Sequence, residues 1–568
     1  MSKIKPERAY AKKIFDGFEG VSAIKSLGEG RLRAVSNFRV REDGVLEKRC
    51  GYRTYATFPA PVRGFWQGTV GGFVRSFAVC EGTVFLLTNG VATSSTDIAT
   101  SEGTVSFFLY SDTLFLLDGT YVYAFDTVSL RFEKTDGYAP LYGRNWHPTD
   151  YGDVYEDLNL FSPKLRIHYA NTTGATEFHL PFYARSVDKV RVDNRTANGY
   201  YLNAAGDILT IPTVGASVEV AFTMETEGED QEMLYQCTHA FADRIKSRER
   251  LILYGTPSGH RLFCASAVSD SMISFCKVFY PDATPLYFKN EGIVTVGAPE
   301  SPVTTLYRDH DRVLAFHPMG ASSISFDADG DQVTDYPLLQ GIGCCVEGVN
   351  LSPEGDPILL NERGVLQISS TASEPDMFSI KDLSAGLPEV KALCAKRQTT
   401  VFHDPAHGEL WLRDPDDTRG LVWVLRLSGK EWYCFESIRA TFFCRIDGMS
   451  GFADGEGSLL LFDDDLCSDE GEPIQAYFKT DHLSFSSPEL PKRGLRVALC
   501  GEERGVTQLS LETERGTQNQ LIAANGSSSP DLIDVRSAPG RFRFLRVCVS
   551  DTGCSRARYH RLALYANL

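Results

Sequence analysis

The chain has 568 residues, 43% of them hydrophobic, 23% charged and 11% aromatic. That composition excludes a disordered chain, a collagen and a coiled coil, and the length predicts several domains. Lys and Arg number 57 against 74 Asp and Glu, a net charge of −17, which disfavours a grip on nucleic-acid phosphates and suits a surface that nucleic acid passes without sticking.

The N-terminus, Met1 to Phe15, is basic and has no apolar stretch of the kind that makes a secretory signal. No apolar run anywhere approaches the ~18–20 residues of a membrane helix, so no membrane-spanning segment is expected. Residues 1–60 read as an N-terminal arm with one hairpin, Val35–Arg41 and Val45–Cys50 around the turn Glu42-Asp43-Gly44. Residues 61–150 carry short alternating strands, as in SFFLYSDTLFLL at 106–117. Residues 151–228 read as a separate small β unit with turns at Thr173-Gly174, Asn198-Gly199 and Gly206-Asp207. Residues 229–480 return to short strands and tight turns like those of 61–150. Amphipathic helices are scarce; Asp230 to Arg250 is one candidate, with a strand ending near Cys237 as an equal alternative. Residues 481–568 form a last β unit. Runs of β-branched and aromatic residues cut by Gly, Asp, Asn and Pro make the whole chain all-β. The strand–turn–strand shape recurs at 65–80, 107–117, 304–316, 357–368 and 399–412 without a fixed period. It predicts a β-propeller-like central domain, in parts 61–150 and 229–480, interrupted by a β-sandwich-like insert and followed by a C-terminal β domain. Two stacked sandwiches are the competing arrangement.

No CxxC occurs among the 14 cysteines, so structural zinc of the usual thiolate type is not expected, and the cysteines read as small buried hydrophobes in a reducing compartment. His403-Asp404-Pro405-Ala406-His407 spaces two histidines as a helical metal site would, but Pro405 and the flanking strand-like runs favour a hairpin loop. Asp327 to Asp331 starts like a calcium loop and has its glycine in the wrong place. The stretch Asp447–Glu472 is strongly acidic, and Arg541, Arg543, Arg546, Arg556, Arg558 and Arg561 crowd the C-terminal unit. The acidic stretch is a solvated loop, an electronegative rim or, at Asp463–Asp465, a calcium holder. There is no GxSxG, no Walker loop, no GxGxxG after a strand and no HExxH. No catalytic residue, cofactor or metal is expected.

The opening Leu27-Gly28-Glu29-Gly30, Ser36-Asn37-Phe38 and Gly44-Val45-Leu46-Glu47-Lys48-Arg49-Cys50-Gly51-Tyr52 resembles that of bacteriophage tail nozzle, or tail tubular protein B-like, proteins and related tail hub proteins of short-tailed phages. Cys50 stands where that pattern commonly has Pro. Leu158–Pro163, Phe178–Pro181, Val190–Asp193 and Val218–Val220 resemble the β insert of such proteins, and RLILYG at 250–255, Asp311–Phe316 and Gly341–Cys344 follow the order of their propeller segment. The resemblance implies a structural virion protein, made in the host cytoplasm and placed in the tail. It would join several copies of itself, commonly six, in a ring around the DNA path. A portal or adaptor protein would sit on one side, and a tail fibre or distal plug protein on the other. Double-stranded DNA would pass through without sequence-specific binding. A carbohydrate-binding or depolymerising tail protein is the alternative, although Trp411, Trp423 and Trp432 fall on core-like strands.

The resemblance makes Asn37, Lys48, Arg49 and Gly51 folding and docking positions, with Gly51 expected to supply a backbone conformation other residues resist. Within a ring, the acids Asp454, Glu456, Asp463, Asp464, Asp465, Asp469, Glu470 and Glu472 would face the channel, where like-charge repulsion centres the duplex within a screening length of ~10 Å. The arginines of 541–561 would face away from it.

Overall fold

The structure, a computed structural model, describes residues 10–21, 31–110, 112–212, 215–225, 250–256, 259–265, 272–275, 286–288, 293–297, 301–309, 312–326, 333–344, 346, 350–351, 356–371, 374–396, 398–485 and 488–567. Most of the helix candidate 230–250, the loop 327–331 and the segment 27–30 lie outside the described residues. Among the described residues the protein is nearly all strand, with one helix, Pro388–Cys394. No helix among them is long and apolar enough to cross a membrane.

Among the described residues, seven four-stranded antiparallel meanders recur along the chain, the blade unit of a β-propeller-like fold. They cover Val62–Val70 to Val91–Asp97, Ser106–Tyr110 to Arg131–Lys134, Arg250–Thr256 to Ile293–Thr295, Thr305–Asp309 to Val333–Gln340, Asn350–Leu351 to Glu374–Asp382, and Thr400–Asp404 to Glu431–Phe435. The seventh is assembled from both ends of the sequence. Phe442–Ile446, Met449–Ala453 and Ser458–Asp463 take Gly51–Thr57 as their fourth strand, in the register Ser458↔Thr57 to Asp463↔Gly51. Inner strands tend to be nearly continuous apolar runs, as in Glu409–Arg413, because both of their faces are covered.

Contacts divide the chain into two units, one of Met1–Val62, Asn89–Ala92 and Cys345–Leu568, the other of Arg63–Thr88 and Thr93–Cys344. The second unit contains the insert. Its five-stranded sheet runs Leu141–Trp146, Lys164–Ala170, Ser217–Met224, Ala184–Val192, Arg195–Thr196, beside a three-stranded sheet of Glu177–His179, Ile208–Thr210 and Tyr201–Leu202. Alternate residues point inward: Leu165, Ile167 and Tyr169 on one strand meet Val218, Val220 and Phe222 on the next, all fully buried. The sheet begins at Leu141, ahead of the segment 151–228 that sequence marks off.

The first unit contains a C-terminal sandwich that the N-terminal strands complete. Arg558–Asn567 pairs with Lys492–Glu502, with Leu46–Lys48 and, from Tyr10↔Asn567 to Asp16↔Arg561, with Tyr10–Asp16. Ala34–Ser36 pairs with Gln475–Lys479, which continues to Leu545–Thr552, Val506–Thr513 and Gly516–Ile522. Phe38, Phe478 and Tyr559 interlock between the two sheets at centroid distances of 5.6–6.1 Å. The arm 1–60 and the unit 481–568, separate in the sequence reading, therefore share one hydrophobic core.

Candidate functional site

Asn37 carries a left-handed backbone, φ 56°, which Asn tolerates better than most residues because its short amide can bond locally. That turn aims the side chain at three segments. Its Nδ2 donates to the Gln475 carbonyl at 2.7 Å, and its Oδ1 accepts from Arg49 Nε and from the Glu436 amide, both at 2.9 Å. Arg49, 2% exposed, donates both ends of its guanidinium to Asp469 at 2.8 and 2.6 Å and to the carbonyls of Cys50 and Glu436. This fork-to-fork pairing is the strongest geometry an Arg and a carboxylate can adopt. Lys48 Nζ is buried against Asp551 at 3.1 Å and the Gly553 carbonyl at 2.8 Å, and Asp551 also takes hydrogen bonds from Thr507, Ser555 and Tyr559.

Gly51 departs from its expected role. Its backbone is not left-handed; a Cβ there would fall 1.9 Å from the Ser468 carbonyl oxygen. The glycine is required by the close approach of a neighbouring strand end, and backbone conformation plays no part. Asn37, Lys48, Arg49 and Gly51 are thus four buried positions of one latch that fastens the N-terminal segment to residues 434–478 and 551–553.

The acidic stretch does not form one surface. Asp454 caps its own turn, accepting from the amides of Glu456 and Ser458. Asp463 pairs with Arg53 at 3.3 Å, Asp465 with Arg556 at 3.5 Å, and Asp469 with Arg49. Glu470 accepts from the Thr54 hydroxyl. Glu456, Asp464, Glu470 and Glu472 are exposed. Arg556, expected away from the acids, meets one of them. Of the remaining arginines, Arg546 faces Glu512, Arg558 faces Glu47 and Glu502, Arg561 faces Asp16, and Arg541 and Arg543 are exposed.

The histidine pair sits on a hairpin, Thr400–Asp404 against Glu409–Arg413, turning through Pro405 to Gly408. His407 Nδ1 lies 2.8 Å from Asp404 Oδ2, and its Nε2 lies 3.8 Å from Asp464 Oδ1. Burial pushes the Asp404 carboxyl up, but the His407 hydrogen bond and charge, with Arg39 and Ser450, outweigh it and hold the group below its ordinary value. Burial holds the His403 imidazole below its ordinary range. Glu409 is 1% exposed and accepts from Arg39 Nε at 2.8 Å, Trp411 Nε1 at 2.8 Å and Tyr433 OH at 2.7 Å. Burial works against the Arg39 charge, yet Glu409 keeps the guanidinium protonated well above its ordinary value.

Sequence reasoning missed Glu409, Arg39 and Tyr433. The signal was there: a glutamate inside the apolar run GELWLR must be either paired or protonated. It missed also that Trp423 is only partly buried. Trp423 lines a cleft of ≈ 1140 Å³ in the first unit, with Tyr477, Glu389, Asp416, Asp417 and Glu436. There Tyr477 OH donates to Glu436 at 3.1 Å, and burial and that carboxylate raise the phenol's pKa.

No family model matches the chain, and no curated protein does. Among solved structures, the AfRom2 CNH domain is 8% identical, covering 73% of this chain and 99% of its own length, with a TM-score of 0.36. A likeness of that size carries no inference.

Proposed function

We propose that this chain is a non-enzymatic structural subunit of a bacteriophage tail, of the nozzle or hub kind, which joins copies of itself in a ring around the ejected duplex. One observation supports the reading: Asn37, Lys48, Arg49 and Gly51, the residues that carry the resemblance, come together as one buried latch inside an all-β unit. An open sheet edge supports self-association. Gly516–Ile522 pairs on one side with Val506–Thr513 and on the other with no strand among the described residues. From Gly516 to Pro530 the sequence carries no charge, so the edge lacks the charged residues that usually block strand addition. In the ring, exposed Glu456, Asp464, Glu470 and Glu472 would supply the negative lumen, while Asp463, Asp465 and Asp469 are muted by arginine partners. Native mass measurement of the full chain, alone and with its adaptor, tests the proposal. A ring of several copies is expected; a monomer under both conditions overturns it.

A second reading, carbohydrate binding, has its own observation in the ≈ 1140 Å³ cleft with Trp423, Tyr477 and acids in its wall. A tryptophan face beside carboxylates is a surface on which a sugar ring can stack and donate hydroxyl hydrogen bonds. Quenching or enhancement of tryptophan fluorescence by host-surface glycans, lost in Trp423→Ala, would favour it. No response to any glycan would dismiss it.

A further inference from the structure

Two stretches that sequence reading weighed separately as metal ligands meet in the first unit. One is the hairpin loop ending at His407; the other is the turn Asp463–Asp465. We propose that His407 Nε2 and the Asp464 carboxylate bind a divalent first-row cation of the zinc class, clamping the two loops together, with Asp404 as the group that orients the imidazole.

The geometry has three parts. First, Asp404 Oδ2 lies 2.8 Å from His407 Nδ1. A carboxylate there keeps the proton on Nδ1, fixes the ring and leaves the Nε2 lone pair free. This carboxylate–histidine arrangement is what metal-ligating imidazoles usually have behind them. Asp404 is itself 1% exposed and held by the Ala406 amide at 3.1 Å, so the ring is anchored to a fixed point. Second, Nε2 faces Asp464 Oδ1 at 3.8 Å. Two ligands sharing one ion at about 2.0–2.2 Å each, at a tetrahedral angle, stand about 3.3–3.6 Å apart. A shift of a few tenths of an ångström in the exposed Asp464 side chain reaches that spacing. Third, the His407 and Asp464 side chains are 31% and 78% exposed, so an ion reaches the pair directly from solvent.

Charge points the same way. Donor atoms of Asp404, His407 and Glu409 lie within 4.8 Å of one another. Glu409 is held by Arg39, Trp411 and Tyr433 and is not a ligand. That leaves Asp404 and Asp464, two carboxylates, on either side of one imidazole. A dication balances them. An imidazole with carboxylate oxygen suits zinc and its first-row neighbours, whereas calcium prefers oxygen alone. With two protein ligands, water completes the coordination.

The test is calorimetric titration of the chelator-treated full chain with zinc chloride, compared with the variants His407→Gln and Asp464→Asn. The wild type should bind one equivalent more than the double variant, so that zinc held by the cysteines common to both cancels. Each single variant should lose at least tenfold in affinity, and Asp404→Asn about 10–100-fold. His147→Ala, which removes an exposed histidine 4.0 Å from Asp150, should change nothing. Asp464 is a surface residue, so its variant keeps the question open to decision even if His407→Gln folds poorly. Equal zinc uptake by wild type and Asp464→Asn overturns the proposal. So does a calcium equivalent that displaces zinc and survives His407→Gln, which would make the turn an all-oxygen site.

Discussion

The insert within residues 141–224 and the sandwich of the first unit are both two-sheet β structures, yet they are held by opposite means. The insert buries alternating aliphatic and aromatic residues from strands close in sequence, such as Ile167 against Val220. The first unit adds to its apolar core a set of buried ion pairs between the N-terminal strands and distant segments: Lys48 with Asp551, Arg49 with Asp469, Arg39 with Glu409. Apolar burial is non-directional and tolerates approximate fits. A buried pair favours one arrangement only, since each partner alone is a costly unpaired charge. The first unit therefore uses its polar groups to specify which distant strands join, a task the insert does not face.

Breaking the latch should have the largest effect. Lys48→Met leaves Asp551 buried without its cation and should cost about 3–5 kcal/mol, read as a lowered urea midpoint of the full chain. If it costs nothing, the pair does not specify the sandwich. Ile167→Ala removes a fully buried side chain from the insert and should cost about 2–5 kcal/mol. The loss should be equal in the full chain and in a fragment of residues 139–225, because the insert's core is its own. A fragment that fails to fold cooperatively would erase the contrast between the two regions. Asn37→Ala strips three hydrogen bonds from the latch and should cost about 1–3 kcal/mol, with Asn37→Gly less harmful to the backbone turn but equally deprived of the amide. The smallest effect is a pH slope in the first unit. His403 and Asp404 both have folded values below their unfolded ones, so the unfolded chain takes up more protons and stability rises with pH. Their contribution is whole above the unfolded values of about 6.5 and 3.9. It falls first through the His403 window and then through that of Asp404 as the pH drops. His403→Gln should flatten the upper part of the slope, measured as urea midpoints between pH 7 and 5.

Much of the fold can be read from residues near one another in sequence. The alternation in KLRIHYA at 164–170 is repeated in its burial, and the apolar run ELWLR at 409–413 is a strand buried on both faces. The candidate site was legible only as parts. Asn37, Arg49 and Asp469 were each singled out, but Arg49 stood with a motif and Asp469 with an acidic loop; that they are one bidentate pair was invisible. His407 and Asp464 likewise belonged to two separate readings. Gly51 was marked for the wrong reason, because a sequence shows a glycine and not the carbonyl that comes within reach of its missing side chain.

That the protein is all-β, built of short meanders with a self-contained insert, is written in the local order of the chain. Strand periodicity and turn chemistry act over a few residues, so neighbours in sequence are enough to set them. Which charges meet is a property of the folded chain alone. Arg49 and Asp469 are 420 positions apart, and Lys48 and Asp551 are 503 apart. Over such spans every Arg has many possible carboxylates of equal local merit. The choice among them is made by which strands pair and which side chains are then shut away from water.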